Sequence, residues 1–178
     1  MSVVVVTGVP GVGKSTVMNA AEEFGFKIVN FGSIMFEQGS KDEVRDRDAM
    51  RKLPVSSQRK YQKMAGEAIS KMGDVVVDTH ASILTPAGYM PGLPEWTVRA
   101  LNPDIIVLVE ADAEEIERRR NKDSSRIRDS DDIELHQRVN REYAAVAAVM
   151  TGATVAIVEN HDNQVEVAAK RFREILGK

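Results

Sequence analysis

The chain contains no cysteine. This absence excludes disulfide bonds, thiolate zinc sites and cysteine nucleophiles, and it fits an intracellular protein. The chain also carries little net charge, with a formal value of −3 at pH 7. A small negative charge argues against general affinity for nucleic acid or for anionic membranes. Any binding of phosphate is therefore expected to be local.

Long apolar runs are absent as well. The N-terminal run Val3–Val6 is far too short for a transmembrane helix or for the core of a signal peptide, and no basic segment precedes it. Low-complexity segments and internal repeats are also lacking, which argues against disorder and repeat architectures. We expect a cytoplasmic protein that interacts with neither membranes nor nucleic acid.

The 178 residues and the hydrophobic fraction of 43% suit a single domain, residues 1–178. Apolar, mostly β-branched runs alternate with helical patterns, which predicts an α/β fold with a parallel five-stranded sheet flanked by helices. The predicted strands are Val3–Val6, Phe26–Phe31, Asp74–Asp78, Ile105–Glu110 and Ala153–Val158. The predicted helices are Ser15–Phe24, Ser56–Met72, Ala113–Arg120, Asp132–Met150 and Gln164–Leu176.

Two stretches are predicted to be loops. Thr85–Pro94 is rich in proline and glycine, and Asn121–Asp131 is polar. Both follow strands, and ligands of open α/β sheets bind outside the carboxyl ends of strands. We therefore expect both loops at the edge of the active site.

The segment Gly8–Ser15 (GVPGVGKS) matches the phosphate-loop pattern G-x-x-x-x-G-K-[ST] at every fixed position. Its glycines allow backbone N–H groups to turn toward phosphate oxygens. Lys14 would reach the β- and γ-phosphates, and the Ser15 hydroxyl is a suitable ligand for Mg²⁺. The loop predicts binding of a nucleoside triphosphate, but GTPases, ATPases and kinases all share it.

Asp78 ends a buried strand, the position where phosphate-loop enzymes place a carboxylate that holds Mg²⁺ or its waters. The other interpretation is an N-cap or turn aspartate. His80 follows closely and is a candidate for orienting a substrate or transferring a proton, although a hydrogen-bonded structural histidine fits the pattern equally well.

The segment Arg118–Arg128 (RRRNKDSSRIR) is strongly basic. Arginine suits a transferring phosphoryl group because its planar donors bind two oxygens and it stays charged. We expect Arg126 and Arg128 to contact phosphate, together with at least one of Arg118–Arg120, for which Arg120 is chosen. Arg138 and Arg141 share one helix face and are also candidates. The alternative is a solvated basic helix end.

Lys14, Asp78, Arg120, Arg126 and Arg128 are therefore the candidate catalytic residues. Arg51 lies in a second basic segment, Arg45–Lys52 (RDRDAMRK), most of which reads as a solvated helix. We choose Arg51 as the exception, because an enzyme with a phosphorylated acceptor needs a second cationic site.

Several segments together resemble the archaeal-type adenylate kinase family, in the same order and across nearly the whole chain. They are "VVVVTGVPGVGKST", "VNFGSIMFE", "DRDAMRKL", "VVVDTH", "TPAGYMPGLP", "LNPDIIVLVEA" and "MTGATV". The resemblance implies a nucleoside-monophosphate-kinase fold and Mg²⁺-dependent conversion of ATP and AMP to two ADP.

Arg138, in the helix that follows the loop Asn121–Asp131, could turn toward the site and is a candidate for ATP binding on its spacing alone. By position, the resemblance implies that ATP binds Gly8, Val9, Pro10, Gly11, Val12, Gly13, Lys14, Ser15 and Thr16. It places AMP beside Gly32 and Ser33, with Arg51 and His80 as further candidates. Residues 31–72 would form the monophosphate-binding helical part and residues 121–131 a short lid. The chain lacks the long lid insertion and the zinc-binding cysteines of many bacterial adenylate kinases, so we expect no zinc. Members of the family are often homotrimers, which favours a trimer here.

Two alternatives stay open. A kinase acting on CMP, UMP or another small acceptor would use the same donor site. A phosphate-loop ATPase or GTPase could instead serve as a switch or assembly factor, although the guanine-specific motif Asn-Lys-x-Asp is absent.

Overall fold

The computed structural model describes residues 2–40, 53–122 and 132–177. Within these ranges the strands are β1 Val3–Thr7, β2 Lys27–Asn30, β3 Val75–Asp78, β4 Ser82–Thr85, β5 Gly88–Pro91, β6 Ile105–Glu110 and β7 Thr154–Glu159. The α-helices are α1 Lys14–Met18, α2 Phe31–Ser40, α3 Val55–Ile69, α4 Glu95–Leu101, α5 Ala113–Lys122, α6 Ile133–Thr151 and α7 Val165–Ile175.

Five parallel strands form the central sheet in the order β2-β3-β1-β6-β7. The predicted α/β fold with a parallel five-stranded sheet is confirmed. In this order β1 lies at the centre, and the register sets Val6 beside Asp78 and Asp78 beside Asn30. The carboxyl ends of β1, β2 and β3 therefore meet at one edge of the sheet.

The central strands β1, β3 and β6 are apolar up to their last residue because helices cover both faces of the sheet. Val4 and Val6 belong to one hydrophobic cluster, with Phe172 of α7, whereas Val3 and Val5 belong to the other, with Leu101 of α4. Alternate residues of a strand point to opposite faces, so a continuous apolar run fills two cores at once. Full burial of each valine stabilises the fold by about 1.5–3 kcal/mol.

Several predicted boundaries of helices and strands were wrong. The predicted helix Ser15–Phe24 is instead the short α1 followed by a 3-10 helix, Asn19–Phe24. The predicted strand Phe26–Phe31 ends at Asn30, because the Asn30 side chain accepts a hydrogen bond from the Ser33 N–H and so caps α2. Helix α4 had no counterpart in the sequence prediction.

The stretch Thr85–Pro94, predicted to be a loop, contains strand β5, which pairs antiparallel with β4. The hairpin forms because Thr85 and Gly88 face each other across a tight turn, and the Thr85 hydroxyl donates to the Gly88 carbonyl at 2.7 Å. Pro91 is tolerated at the end of β5 because this sheet has only two strands. Among the described residues, no helix combines the length and apolarity needed to cross a bilayer.

Candidate active site

The phosphate loop joins β1 to α1 and is anchored by its own valines. Val9 and Val12 are 1% and 0% exposed and pack into the core. Glycine is required at Gly8, where an added Cβ would lie 2.5 Å from the Val109 carbonyl oxygen. Gly13 has a positive φ of 91° and lies against Asn160. The loop backbone is therefore held by its contacts with the protein interior, while Pro10, Ser15 and Thr16 are exposed.

Lys14 is held above the sheet edge by two contacts. Its Nζ lies 3.0 Å from Asp78 Oδ1 and donates to the Thr79 carbonyl at 2.9 Å. Burial lowers the pKa of Lys14, and the neighbouring Asp78 carboxylate partly offsets this effect. Both predicted catalytic groups, Lys14 and Asp78, are thus brought together at the end of β1 and β3.

Asp78 is also bound by Asn30, which the sequence analysis did not single out. Asn30 Nδ2 donates to Asp78 Oδ2 at 3.0 Å, and Asn30 Oδ1 accepts from the backbone N–H of Ser33 at 3.1 Å. One amide therefore joins the strand-end carboxylate to the first turn of α2. The sequence signal for Asn30 was its position between a predicted strand and a helix, where asparagine is a favoured N-cap residue.

The oxygen donors at this edge fit Mg²⁺. Asp78 supplies a carboxylate and the exposed Ser15 a hydroxyl, which are hard oxygen ligands of the kind that Mg²⁺ prefers. Asp78 Oδ1 is buried and, among the described residues, accepts no hydrogen bond other than the ion-pair contact with Lys14. Lys14 and Asp78 thus set a cation and an anion side by side, as a phosphate group with its metal would require.

Gly32, Ser33 and His80 lie around the same edge. Gly32 and Ser33 form the first turn of α2, and Gly32 is close to Asn30, because an added Cβ would lie 3.3 Å from Asn30 Oδ1. His80 keeps an exposed surface, but the protein atoms around its ring displace water and Lys14 is nearby. Desolvation and then the Lys14 charge lower the pKa of His80 to about 4, so His80 is neutral at pH 7.

The three adjacent arginines at the end of α5 have different partners. Arg118 and Arg119 both pair with Asp162, at 3.2 and 2.7 Å. Arg119 Nη1 also donates to the Val12 carbonyl at 3.1 Å, and Arg120 Nε donates to the Pro10 carbonyl at 2.7 Å. Arg119 and Arg120 therefore contact the backbone of the phosphate loop, whereas Arg118 points to the loop after β7.

Arg138 and Arg141 do lie on one face of α6. Together with Glu110, Glu134 and Gln137 they line a surface pocket of about 240 Å³. Arg141 binds Glu110 with two hydrogen bonds, one of them Nε to Oε1 at 2.8 Å, and this pairing raises the pKa of Arg141. Arg141 is thus committed to a buried carboxylate, while Arg138 is exposed.

Three other residues, Asp112, Glu115 and His161, offer atoms within 4.8 Å of one another and could hold a metal ion. Their contacts are those of an ion-pair cluster. His161 Nδ1 lies 2.9 Å from Glu115 Oε2, and Glu115 Oε1 accepts from the Asp162 N–H at 2.7 Å. Hydrogen bonding to Glu115 raises the pKa of His161, and the Asp162 N–H is the largest cause of the lowered pKa of Glu115. The cluster ties α5 to the loop after β7.

Arg51, Arg126 and Arg128 lie outside the described residues. The same is true of most of the predicted lid, 121–131, of which the described part is Asn121 and Lys122 at the end of α5. Sequence reasoning also missed Asn160, a buried amide directly after β7 that contacts the phosphate loop. A polar residue ending an apolar strand was the available signal, as it was for Asp78.

A parallel sheet that ends in a glycine-rich loop, a lysine and a strand-end aspartate defines a phosphate-loop nucleotide-binding protein. A family model described as an AAA domain matches residues 7–137. The fold resembles a shikimate kinase from Bacteroides thetaiotaomicron (TM-score 0.61, 13% identity, 99% of each chain) and a gluconokinase from Sinorhizobium meliloti (TM-score 0.56, 14% identity, 99% of this chain and 91% of that one). These likenesses support the phosphate-loop kinase fold alone.

Sequence similarity is far higher to proteins named adenylate kinase. The relative from Methanopyrus kandleri is 49% identical over 97% of this chain and 96% of its own length. The relative from Methanocaldococcus jannaschii is also 49% identical, over 98% of this chain and 97% of its own length. The chain belongs to the adenylate kinase family and is a nucleoside monophosphate kinase. The resemblance noted in the sequence is therefore confirmed.

Proposed function

We propose that this protein is an adenylate kinase that catalyses the reversible, Mg²⁺-dependent reaction of ATP with AMP to give two ADP. The observation that carries the proposal is the 49% identity to curated adenylate kinases over almost the whole chain. The site agrees with it, because Lys14 and Asp78 meet beside a phosphate loop at the carboxyl edge of a parallel sheet.

ATP is the phosphoryl donor in this proposal and binds the loop Gly8–Thr16. Loop amides and Lys14 would hold its phosphates, and Ser15 and Asp78 would hold Mg²⁺, directly or through water. When bound, Mg²⁺ neutralises charge on the β- and γ-phosphate oxygens. The protein's own residues orient the donor, and Lys14 balances the charge that develops on the transferred group.

AMP is the acceptor and binds near Gly32, Ser33, Arg51 and His80. An oxygen of the AMP phosphate attacks the γ-phosphorus of ATP, and the bond from that phosphorus to the β-γ bridging oxygen breaks, so the products are two ADP. Support for this placement comes from the contact chain Ser33–Asn30–Asp78–Lys14, which joins α2 to the donor side. A neutral His80 can accept a hydrogen bond without repelling Lys14.

Residues 121–131 form a short, metal-free lid in this proposal, with Arg126 and Arg128 on phosphate. Arg120 and Arg138 act from its two flanks. Closure excludes water, which is itself a competent acceptor, and residues 31–72 close over AMP in the same way.

We also propose a cytoplasmic homo-oligomer, with a trimer favoured. The supporting surface combines the outer side of α6 with β7, which lies at one end of the strand order. Its exposed apolar residues are Val146, Val149, Met150, Val155 and Ile157. Exposed apolar residues on neighbouring elements are typical of surfaces that contact other proteins. Light scattering after size-exclusion chromatography measures the oligomeric state. A monomer at micromolar concentration would contradict the proposed oligomer.

Coupled ADP detection across an acceptor panel tests the reaction. ATP and Mg²⁺ are supplied with AMP, CMP, UMP, GMP or no acceptor, and AMP should give the highest kcat/KM. A Lys14→Ala variant purified in the same way controls for kinase contamination from the host. A preference for CMP or UMP would overturn the acceptor, and hydrolysis that does not depend on AMP would favour a switch ATPase.

A further inference from the structure

Asn160 is a buried residue whose side chain reaches across the fold to the phosphate loop. It directly follows β7 and is 3% exposed. Its backbone N–H donates to the Glu110 carbonyl at 2.8 Å, which fixes its position at the end of β6. Its side-chain Nδ2 donates to the Val12 carbonyl, also at 2.8 Å. The phosphate loop and the last strand are thus joined by one amide.

Arg119 binds the same carbonyl from a different element. Its Nη1 donates to the Val12 oxygen at 3.1 Å, and its Nη2 donates to the Asn160 carbonyl at 2.8 Å. Its Nε donates to Asp162 Oδ1 at 2.8 Å, which holds the guanidinium in place. Two donors, from α5 and from the segment after β7, therefore converge on one backbone oxygen of the loop.

The Val12 carbonyl determines where the next N–H points. The described residues contain no cis peptide bond, and in a planar trans peptide the carbonyl and the following N–H point in opposite directions. Holding the Val12 oxygen against Asn160 and Arg119 thus turns the Gly13 N–H to the other side of the loop. Backbone N–H groups of such a loop are the donors that cradle phosphate.

Gly13 and Asn160 are also in close contact. A Cβ at Gly13 would lie 2.4 Å from Asn160 Nδ2, and Gly13 has a left-handed φ of 91°. Glycine leaves room for the amide at this distance and adopts this backbone conformation without strain. The Asn160 amide therefore buttresses the Val12–Gly13 peptide from the side opposite the phosphate cradle.

Asn160 Oδ1 is buried and, within the described part of the chain, has no hydrogen-bond partner. A buried acceptor without a donor weakens the fold, so an apolar residue of similar shape would serve stability nearly as well. The unpaired Oδ1 lowers stability, but the same side chain supplies the Nδ2 donor that binds the Val12 carbonyl.

From these contacts we infer that Asn160, supported by Arg119, is a positioning residue that presets the Val12–Gly13 peptide for binding the phosphates of the donor nucleotide. The inference rests on the proposed function in one respect, because it assumes that the loop binds ATP. Asn160 acts through the backbone and does not itself contact the substrate.

The test compares Asn160→Leu and Asn160→Ala with Asn140→Ala. Asn140 is an equally buried amide, 2% exposed, whose Oδ1 accepts from Ser82, so it controls for the loss of a buried asparagine away from the loop. Isothermal titration calorimetry measures the Kd of ADP and of a non-hydrolysable ATP analogue with Mg²⁺, and steady-state assays give KM for ATP and for AMP.

We expect both Asn160 variants to raise the Kd of the ATP analogue and the KM for ATP about tenfold. A Gly13 N–H that is no longer held in place would lose its hydrogen bond to a charged phosphate oxygen, which is a loss of about that size. KM for AMP should change little. The Tm of Asn160→Leu should stay close to that of the wild type, whereas Asn140→Ala should lower Tm and leave KM for ATP unchanged.

Unchanged nucleotide affinity in a folded Asn160→Leu protein would overturn the inference, as would an equal rise in both KM values. If neither Asn160 variant folds, Arg119→Met removes the second donor to Val12, and its Kd for the ATP analogue should rise in the same way while Kd for AMP does not. A wild-type protein that binds no ATP analogue would instead contradict the proposed function.

Discussion

Lys14 and Asp78 are distant in the sequence, yet Lys14 Nζ lies 3.0 Å from Asp78 Oδ1 and 2.9 Å from the Thr79 carbonyl oxygen. The contact exists because β1 and β3 are neighbours in parallel register, with Val6 beside Asp78. In this state the lysine is held by the groups beside the phosphate cradle. An incoming phosphate therefore meets a lysine that is already positioned.

Replacement of Lys14 by alanine should lower kcat by about 10²-fold or more, since the charge that balances the transferred phosphoryl group is lost. The variant should keep its fold, because the side chain lies at the sheet edge and not in a core cluster. Coupled ADP formation and far-UV circular dichroism measure the two effects. Lys170→Ala, an exposed lysine of α7, is the control and should retain wild-type turnover.

Asp78→Asn should raise the Mg²⁺ concentration needed for half-maximal rate about tenfold or more, because a neutral amide is a poorer ligand for Mg²⁺ than a carboxylate. The asparagine can still accept from Asn30, so the local contact is kept. The measurement is initial rate against free Mg²⁺ at saturating nucleotide. An unchanged Mg²⁺ dependence would remove Asp78 from the proposed metal site.

His80 and His161 should titrate on opposite sides of the ordinary histidine range. Desolvation and Lys14 lower the pKa of His80 to about 4, whereas the hydrogen bond to Glu115 raises the pKa of His161. NMR titration of the imidazole signals, assigned with His80→Asn and His161→Gln, measures both values. Nucleotide binding should raise the pKa of His80, because phosphate charge offsets that of Lys14.

The two shifts have opposite consequences for stability. The pKa of His80 is about 4 in the folded protein and 6.5 in the unfolded chain, so the unfolded chain binds a proton more readily. The free energy of unfolding therefore decreases as the pH falls from 6.5 toward 4. The His161 contribution is present below its unfolded pKa and is lost as pH rises through the higher folded pKa. His161→Gln should therefore destabilise the protein more at pH 6 than at pH 9, and the reverse order in urea unfolding would contradict the ion pair.

Arg141→Met should reduce the free energy of unfolding by about 1–3 kcal/mol, because it leaves the buried Glu110 carboxylate without its partner while part of the arginine remains exposed. Glu110 has a 9% exposed side chain, compared with 56% for Arg141. Urea unfolding measures the change, and adding Glu110→Gln should restore much of it. The control Arg99→Ala breaks an exposed pair with Glu95 and should cost under about 0.5 kcal/mol.

Several parts of the site could be predicted because their signals are local. The loop Gly8–Ser15 is contiguous, and its function depends on its own backbone, so the pattern alone indicated phosphate binding. Asp78 was found for a similar reason, since an acidic residue ending a buried strand must lie at the carboxyl edge of the sheet. The roles of Lys14, Asp78 and the other site residues remain predictions, and Arg51, Arg126 and Arg128 also lie outside the described residues.

Other parts depend on partners that are distant in sequence. Asn30 and Asn160 were not predicted as site residues, because a polar residue at a strand end does not by itself show that its amide reaches Asp78 or Val12. The stretch Thr85–Pro94, which contains β5, was predicted to be a loop because it is rich in glycine and proline. Its pairing with β4 depends on Thr85 and Gly88 facing each other.

The amino-acid sequence by itself determined the parallel α/β architecture, the phosphate loop and the kinase family, because apolar periodicity and a contiguous motif carry that information. Only the tertiary structure decided which polar groups meet. The strand order placed Lys14, Asp78 and Asn30 at one edge, and the packing of α5 and β7 brought Arg119 and Asn160 to a single carbonyl of the loop. Hydrogen bonds act over about 3 Å, so they depend on how the elements pack and not on distance along the chain.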